Sequence, residues 1–239
     1  YWKNPIQIIA PSEWMKNSVS QSFLMKKWPV SIIPNPLNLK IWKPIDKILA
    51  RDLLNLPQNK ELILFGAISG SFYYHKGFDL LEAAINRLNN TKNVCLVIFG
   101  ESKPLNPPKF KFPVMYLGHL KDNLSLRAVY SSSDLMVVPS RVESFGQTAS
   151  EAQACGVPVV AFETTGLKTT VLHKITGYLA TPFDTDDLAK GIDWVLNQKE
   201  IDLKKNARDS TLNRFTYDKV GKLHLEIYKK VISNNLSLS

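Results

Sequence analysis

Two glutamates stand eight positions apart in the stretch Pro139-Ser140-Arg141-Val142-Glu143-Ser144-Phe145-Gly146-Gln147-Thr148-Ala149-Ser150-Glu151. A short apolar run at 135–139 precedes them, and a helical pattern over 145–155 carries the second. At about 100° per residue, eight steps leave an offset of roughly 80°, so Glu143 and Glu151 can flank one cleft. Two carboxylates that accept hydrogen bonds suit a polyhydroxylated ligand, such as a ribose and a hexose. Gly146 opens the helix and lets a ligand approach the backbone. The unpaired amides of a first helical turn favour an anion or a polar oxygen there. A capping glutamate and a solvated glutamate on a surface helix would show the same spacing, so the pair alone leaves both readings open.

Three other loops could take part. Residues 66–77 form a long glycine-bearing segment ending in His75-Lys76-Gly77 at a helix start, where Lys76 can meet a diphosphate as a point charge. The segment fits neither GxGxxG nor a Walker P-loop, which weighs against dinucleotide and ATP readings. Residues 163–168 carry Gly166, whose missing side chain suits backbone contact with a ligand. Leu117-Gly118-His119-Leu120 follows a strand and can face a flat base. For each of these the plain alternative is a solvated loop residue or an ordinary turn. No GxSxG occurs and neither cysteine has a histidine partner in sequence, so nucleophilic hydrolysis is a poor reading.

These loops hang on an alternation of short apolar runs and amphipathic stretches. Strands are expected at 6–10, 30–33, 62–66, 94–100, 114–117, 135–139, 158–162 and 177–180. Helices are expected after Ser12 and over 78–88, 124–131, 145–155, 184–197, 200–214 and 216–232. Strands apolar at nearly every position must be covered on both faces, which predicts an α/β, doubly wound, mostly parallel sheet of Rossmann-like form. Ligands of such sheets sit beyond the carboxyl ends of the strands at a switch point, so the loops above are the ones to inspect. The prolines at 34, 36 and 44 mark the best domain boundary.

Composition sets the limits. With 44% hydrophobic and 21% charged residues the chain is ordinary globular protein, and no apolar run approaches the length of a membrane helix. The charge of +9 favours anionic partners, but the basic residues are scattered, so a nucleic-acid reading gains little. Cys95 and Cys155 read as small buried residues of a reducing compartment, and no Cys/His cluster suggests a metal. Tyr1-Trp2-Lys3-Asn4-Pro5 reads as the interior of a longer frame.

Glu143 and Glu151, followed by Ala154-Cys155-Gly156-Val157-Pro158-Val159-Val160-Ala161, closely resemble the carboxyl-terminal half of GT-B retaining glycosyltransferases of family 4. The resemblance extends to Ile33-Pro34-Asn35, His75-Lys76-Gly77, Gly118, and Gly177-Tyr178-Leu179 before 184–188, and so covers most of the chain. It implies a nucleotide-diphosphate sugar as donor, a glycan or lipid-linked acceptor, transfer with retention, and no metal or other cofactor. By motif match Glu143 and Lys76 would be catalytic, Lys76 steadying the departing diphosphate and Glu143 meeting hydroxyls of the donor sugar. Glu151 would accept from the ribose hydroxyls. Ser144, Phe145, Gly146, Gly166 and Leu120 would complete the donor site, with the amides of Phe145 and Gly146 beside the carboxylates.

Residues 1–36 would be a remnant of the acceptor domain and hinge, 37–215 the donor domain, and 216–239 a helix returning to the acceptor domain. A cytoplasmic setting follows, with peripheral contact at the inner membrane face and no nucleic-acid partner. Two departures stand out. Gly66-Ala67 replaces the Gly-Arg of many relatives, leaving His75 or Arg141 as substitute cations. Thr165-Gly166 replaces a Gly-Gly pair, with Thr169 or Thr170 where an acidic residue is common. The changed phosphate loop keeps a second class open, a non-catalytic nucleotide-sugar binding or regulatory module.

Overall fold

The computed structural model describes residues 5–66, 74–88 and 93–236. Six strands form one parallel sheet: β3 (Glu61–Gly66), β4 (Val94–Phe99), β5 (Val114–Tyr116), β6 (Leu135–Val138), β7 (Val159–Phe162) and β8 (Gly177–Ala180). Their order across the sheet is β5-β4-β3-β6-β7-β8. Leu62 stands opposite Cys95 on one side of β3, and Ile63 opposite Leu135 on the other. The order reverses between β3 and β6, so the chain leaves these neighbours in opposite directions and opens a crevice at their carboxyl ends.

Period-two alternation explains the sheet. Leu62 and Leu64 of β3 enter one apolar cluster with Cys95, Val97, Met136 and Val138. Ile63 and Phe65 enter the other with Leu96, Ile98, Leu135 and Val137. Each face is covered by helices. The first is covered by α4 (Asn123–Ser132) and α5 (Gln147–Ala154), the second by α3 (Phe78–Ile85) and α7 (Thr185–Asn197). A strand buried on both sides has no polar face, which is why these runs read as apolar throughout.

Outside the sheet lie β1 (Ile8–Ala10) and β2 (Val30–Ile32), which pair in parallel with each other, joined by α1 (Glu13–Gln21). The remaining helices are α2 (Lys47–Leu53), α6 (Leu167–Thr170), α8 (Leu203–Arg214) and α9 (Tyr217–Leu236). The amide of Leu37 donates to Phe215 O at 2.7 Å, so the chain enters and leaves the large sheet at adjacent points. Ile6, Ile9, Ile227, Tyr228 and Val231 line a shared groove of about 360 Å³ between the small sheet and α9.

Several boundaries differ from the sequence reading, each for a local reason. The helix expected over 145–155 begins at Gln147, because Gly146 takes a left-handed conformation (φ +88°) that ends the loop. Glu143 lies in the loop, as expected, so the helical-wheel offset between it and Glu151 does not apply. The helix expected over 78–88 stops at Ile85. The 200–214 helix starts at Leu203, after Asp202, whose carboxylate accepts from the Lys205 amide. The strand at 6–10 shortens to Ile8–Ala10. Helices α2 and α6 were not anticipated. Asp46 caps α2 by accepting from the Leu49 amide, and α6 is a single turn.

Both cysteines are buried and unpaired. Burial pushes the Cys155 thiol up to about 12, so it carries no thiolate at neutral pH. Among the described residues no helix is long and apolar enough to cross a membrane.

Candidate functional site

Elements on either side of the switch between β3 and β6 bring Lys76 and Glu143 together. A 3-10 turn (Tyr74–Lys76) leads into α3, and the loop after β6 leads into α5. The Lys76 ammonium donates to Glu143 Oε1 at 2.7 Å, across 67 positions of sequence. Ser140 Oγ donates to the same oxygen at 2.9 Å. The side chains of Lys76 and Glu143 are 29% and 15% exposed, so the pair is shielded but reachable. The Glu143 amide donates to Thr165 Oγ1 at 3.0 Å, and the Glu143 carbonyl accepts from the Gly166 amide at 2.8 Å. The loop after β7 thus holds the backbone of Glu143 from below.

Glu151 sits deeper, at a cavity of about 450 Å³ lined also by Gly66, Phe99, His119, Leu120 and Thr148. This cavity lies at the carboxyl ends of β3 and β4, and Leu120 reaches it from the loop after β5. Tyr130 Oη donates to Glu151 Oε2 at 2.9 Å, and Gln147 Nε2 to Oε1 at 3.4 Å. The Tyr130 ring is fixed edge-on by Trp42 and Phe99, at centroid distances of 5.8 and 5.7 Å. Burial raises the Glu151 carboxyl above its usual range, against the opposing pull of the Tyr130 and Gln147 hydrogen bonds. Burial and the neighbouring carboxylate also raise the Tyr130 phenol, which keeps it a donor.

A native acid with a raised pKa binds protons that the unfolded chain has already released, so stability falls as pH climbs from the ordinary carboxylate range to the raised value. Glu151→Gln removes that charge and keeps an oxygen for Tyr130. We expect the variant to melt above the parent at about pH 7, with the gap closing at about pH 4. Thermal denaturation at the two pH values checks this, and a gap independent of pH would contradict it.

Several other expected site residues take structural places. The Phe145 side chain is 1% exposed and meets Phe215 edge-on at 5.3 Å, so only its backbone can serve a ligand. Ser144 gives its carbonyl to Ser12 Oγ at 2.7 Å, tying the site loop to the start of α1. A Cβ on Gly166 would lie 2.4 Å from Ser144 O and 2.5 Å from Phe145 N, so this glycine is needed for loop packing. Thr170 is buried, and its hydroxyl donates to Phe145 O, so it props the loop from within. Gly146 and Gly77 begin α5 and α3 in left-handed conformations without side-chain caps, whereas Asp or Ser side chains cap α1, α2, α4, α7 and α8. The two helices beside the switch thus leave first-turn amides without a side-chain acceptor.

Tyr130, Thr165 and Ser140 were missed by the sequence reading. A tyrosine inside a core helix looks like packing, and only the need of a buried phenol for a partner hints at more. Position 67, on which the altered phosphate loop turned, lies outside the described residues. Among the described residues no group of three or more His, Cys, Asp or Glu side chains could hold a metal ion.

Comparison with known proteins bears on the family and the fold. An uncharacterised glycosyltransferase of Methanocaldococcus jannaschii is 28% identical, the match covering 93% of this chain and 60% of that protein. Sucrose-phosphate synthase of Thermosynechococcus elongatus superposes with a TM-score of 0.80 at 27% identity, covering 97% of this chain and 60% of the other. Anabaena HepE, solved in complex with UDP and glucose, shares the fold with a TM-score of 0.76 at 20% identity, covering 94% of this chain and 63% of its own. The chain therefore spans about three fifths of the length of these proteins. The crevice between β3 and β6 is the switch point of a GT-B carboxyl-terminal domain, and the family model described as glycosyl transferases group 1 matches residues 46–210; the chain belongs to that family.

Proposed function

We propose that this chain supplies the donor site of a retaining glycosyltransferase that uses a nucleotide-diphosphate sugar. The observation that carries the reading is the Lys76–Glu143 ion pair standing across the β3–β6 switch, with a cavity that ends on Glu151 at the carboxyl ends of β3 and β4. The base enters beside His119 and Leu120. Glu151, held by Tyr130, accepts from the ribose hydroxyls. The diphosphate reaches Lys76 and the uncapped first turns of α3 and α5. Glu143 then exchanges part of its bond to Lys76 for a hydroxyl of the donor sugar.

In the reaction the bond between the anomeric carbon and the diphosphate breaks, a bond to the acceptor oxygen forms on the same face, and the acceptor hydroxyl's proton passes to the departing phosphate oxygen. Negative charge grows on the leaving phosphate. Lys76 and the amides near Phe145 and Gly146 neutralise it without a metal, since preorganised donors in a shielded site stabilise such charge. HepE supports the donor class, being solved with UDP and glucose. The acceptor, a glycan or a lipid-linked glycan, binds on the remaining two fifths of a family-length protein, and a lipid-linked acceptor brings peripheral contact with a membrane.

A thermal-shift panel of UDP, GDP and ADP with their sugars tests the reading. A ligand that binds only the native state raises the melting temperature. One base should raise it by several degrees, in the presence or absence of EDTA. No shift with any member of the panel would contradict the proposal.

A further inference from the structure

The sequence offers Arg141 as a replacement for the arginine missing at position 67, but its side chain is committed elsewhere. Nη1 donates to Asp79 Oδ1 at 2.9 Å and to Tyr74 O at 2.7 Å, and Nη2 donates to Asp79 Oδ2 at 2.7 Å. The guanidinium carbon lies 3.7 Å from the centroid of the Tyr74 ring. The Arg141 amide donates to His75 O at 2.8 Å. Every one of these partners lies in 74–79, the segment that carries Lys76, while Arg141 itself is two positions from Glu143. Gly77 closes the same junction, since a Cβ there would lie 2.0 Å from Pro139 O.

We propose that Arg141 is a positioning residue. It fixes the turn bearing Lys76 against the loop bearing Glu143, so that the ammonium already stands where a diphosphate arrives, and it is not itself a diphosphate ligand. This rests on the reading of Lys76 given above. The contact set explains the residue type. A planar fork can grip a carboxylate with two bonds, stack on a ring and reach a carbonyl at once, and a lysine cannot. Asp79 is 59% exposed, so the charge attraction is screened by solvent, and shape does the holding. Without the clamp the turn would have to be ordered when the ligand binds, and that cost would come out of affinity.

The test uses the 239-residue chain, with UDP, GDP, ADP and the matching nucleosides as calorimetric probes. Lys76→Gln and Arg141→Gln should each weaken the bound diphosphate about tenfold while changing nucleoside affinity by less than about twofold. The double variant should bind no more weakly than Lys76→Gln alone, because Arg141 acts only through Lys76. Arg141→Lys should not recover the loss. Asp79→Ala, which removes the gripped carboxylate at an exposed position, should reproduce the Arg141→Gln pattern in a chain that folds normally. Effects that multiply in the double variant would make Arg141 an independent ligand, and rescue by lysine would make it a simple charge. Either overturns the proposal.

A ligand-free measurement separates this inference from the reading beneath it. Amide hydrogen exchange over 74–79 should speed up at least about tenfold in Arg141→Gln. Unchanged exchange would overturn the clamp and leave the site reading intact. Failure of the parent chain to bind any of the three diphosphates would overturn the site reading, and with it the role of the clamp in binding.

Discussion

Replacing Glu143 by glutamine should cut sugar transfer about 10²- to 10³-fold in a family-length protein, with donor KM unchanged or lower. Both the Lys76 ammonium and the Ser140 hydroxyl donate to Glu143 Oε1, and a glutamine oxygen can retain the hydroxyl bond. The loop keeps its tethers at Thr165 and Gly166, which hold only the Glu143 backbone. The substitution therefore removes a charge with little change of shape. Lys76 loses a competitor for the diphosphate, so ground-state binding does not suffer. On the proposed reading, what disappears is the carboxylate's grip on sugar hydroxyls as the anomeric carbon gains positive character, an interaction stronger in the transition state than before it. Steady-state kinetics separate the two terms. Unchanged turnover would reduce Glu143 to a residue that anchors its loop, and would favour a binding module over an enzyme.

The second large effect is on stability. Gly77→Ala should destabilise the chain by about 3 kcal/mol or more, from left-handed backbone strain and a steric clash together. Gly77 has φ +68°, and a Cβ there would lie 2.0 Å from the Pro139 carbonyl oxygen. No rotamer relieves a contact made by Cβ, so the backbone after β6 must move, carrying Arg141 and Glu143 with it. Urea denaturation measures the loss. A change below about 1 kcal/mol would show that the junction between the Lys76 turn and the β6 loop yields easily, and would weaken the case for a preorganised ion pair.

The central strands were legible because alternate residues face two different apolar layers. Leu62 and Leu64 point one way, Ile63 and Phe65 the other, so β3 reads as a solid run. The fold class follows from that pattern, and with it the edge of the sheet where a ligand belongs. Loop termini were less legible. The φ of +88° at Gly146 moved the start of α5 past Phe145, and Pro44 hid the cap that Asp46 provides to α2.

Pairings were not legible at all. Lys76 meets Glu143 only because β3 and β6 are neighbours, and Tyr130 meets Glu151 only because α4 and α5 cover the same face. Spacing along the chain carries no record of either. Arg141 shows the converse. Its position beside Glu143 suggested a free cation for a phosphate, whereas the fold gives it Asp79 and Tyr74 as partners. Gly166 likewise suggested backbone contact with a ligand, and its lack of a Cβ is already used against Ser144 and Phe145.

The grip of Glu151 on a ribose is the claim on which the donor reading stands, and calorimetry with a sugar-modified nucleotide tests it most directly. The chain is titrated with its preferred nucleoside diphosphate and with the 2′,3′-dideoxy form of the same nucleotide, and both titrations are repeated on Glu151→Gln. The parent should prefer the ribonucleotide by about 10²-fold, since hydrogen bonds to a charged acceptor are each worth about 1.5–3 kcal/mol, and the variant should lose most of that preference. Equal affinity of the parent chain for the two nucleotides would contradict it.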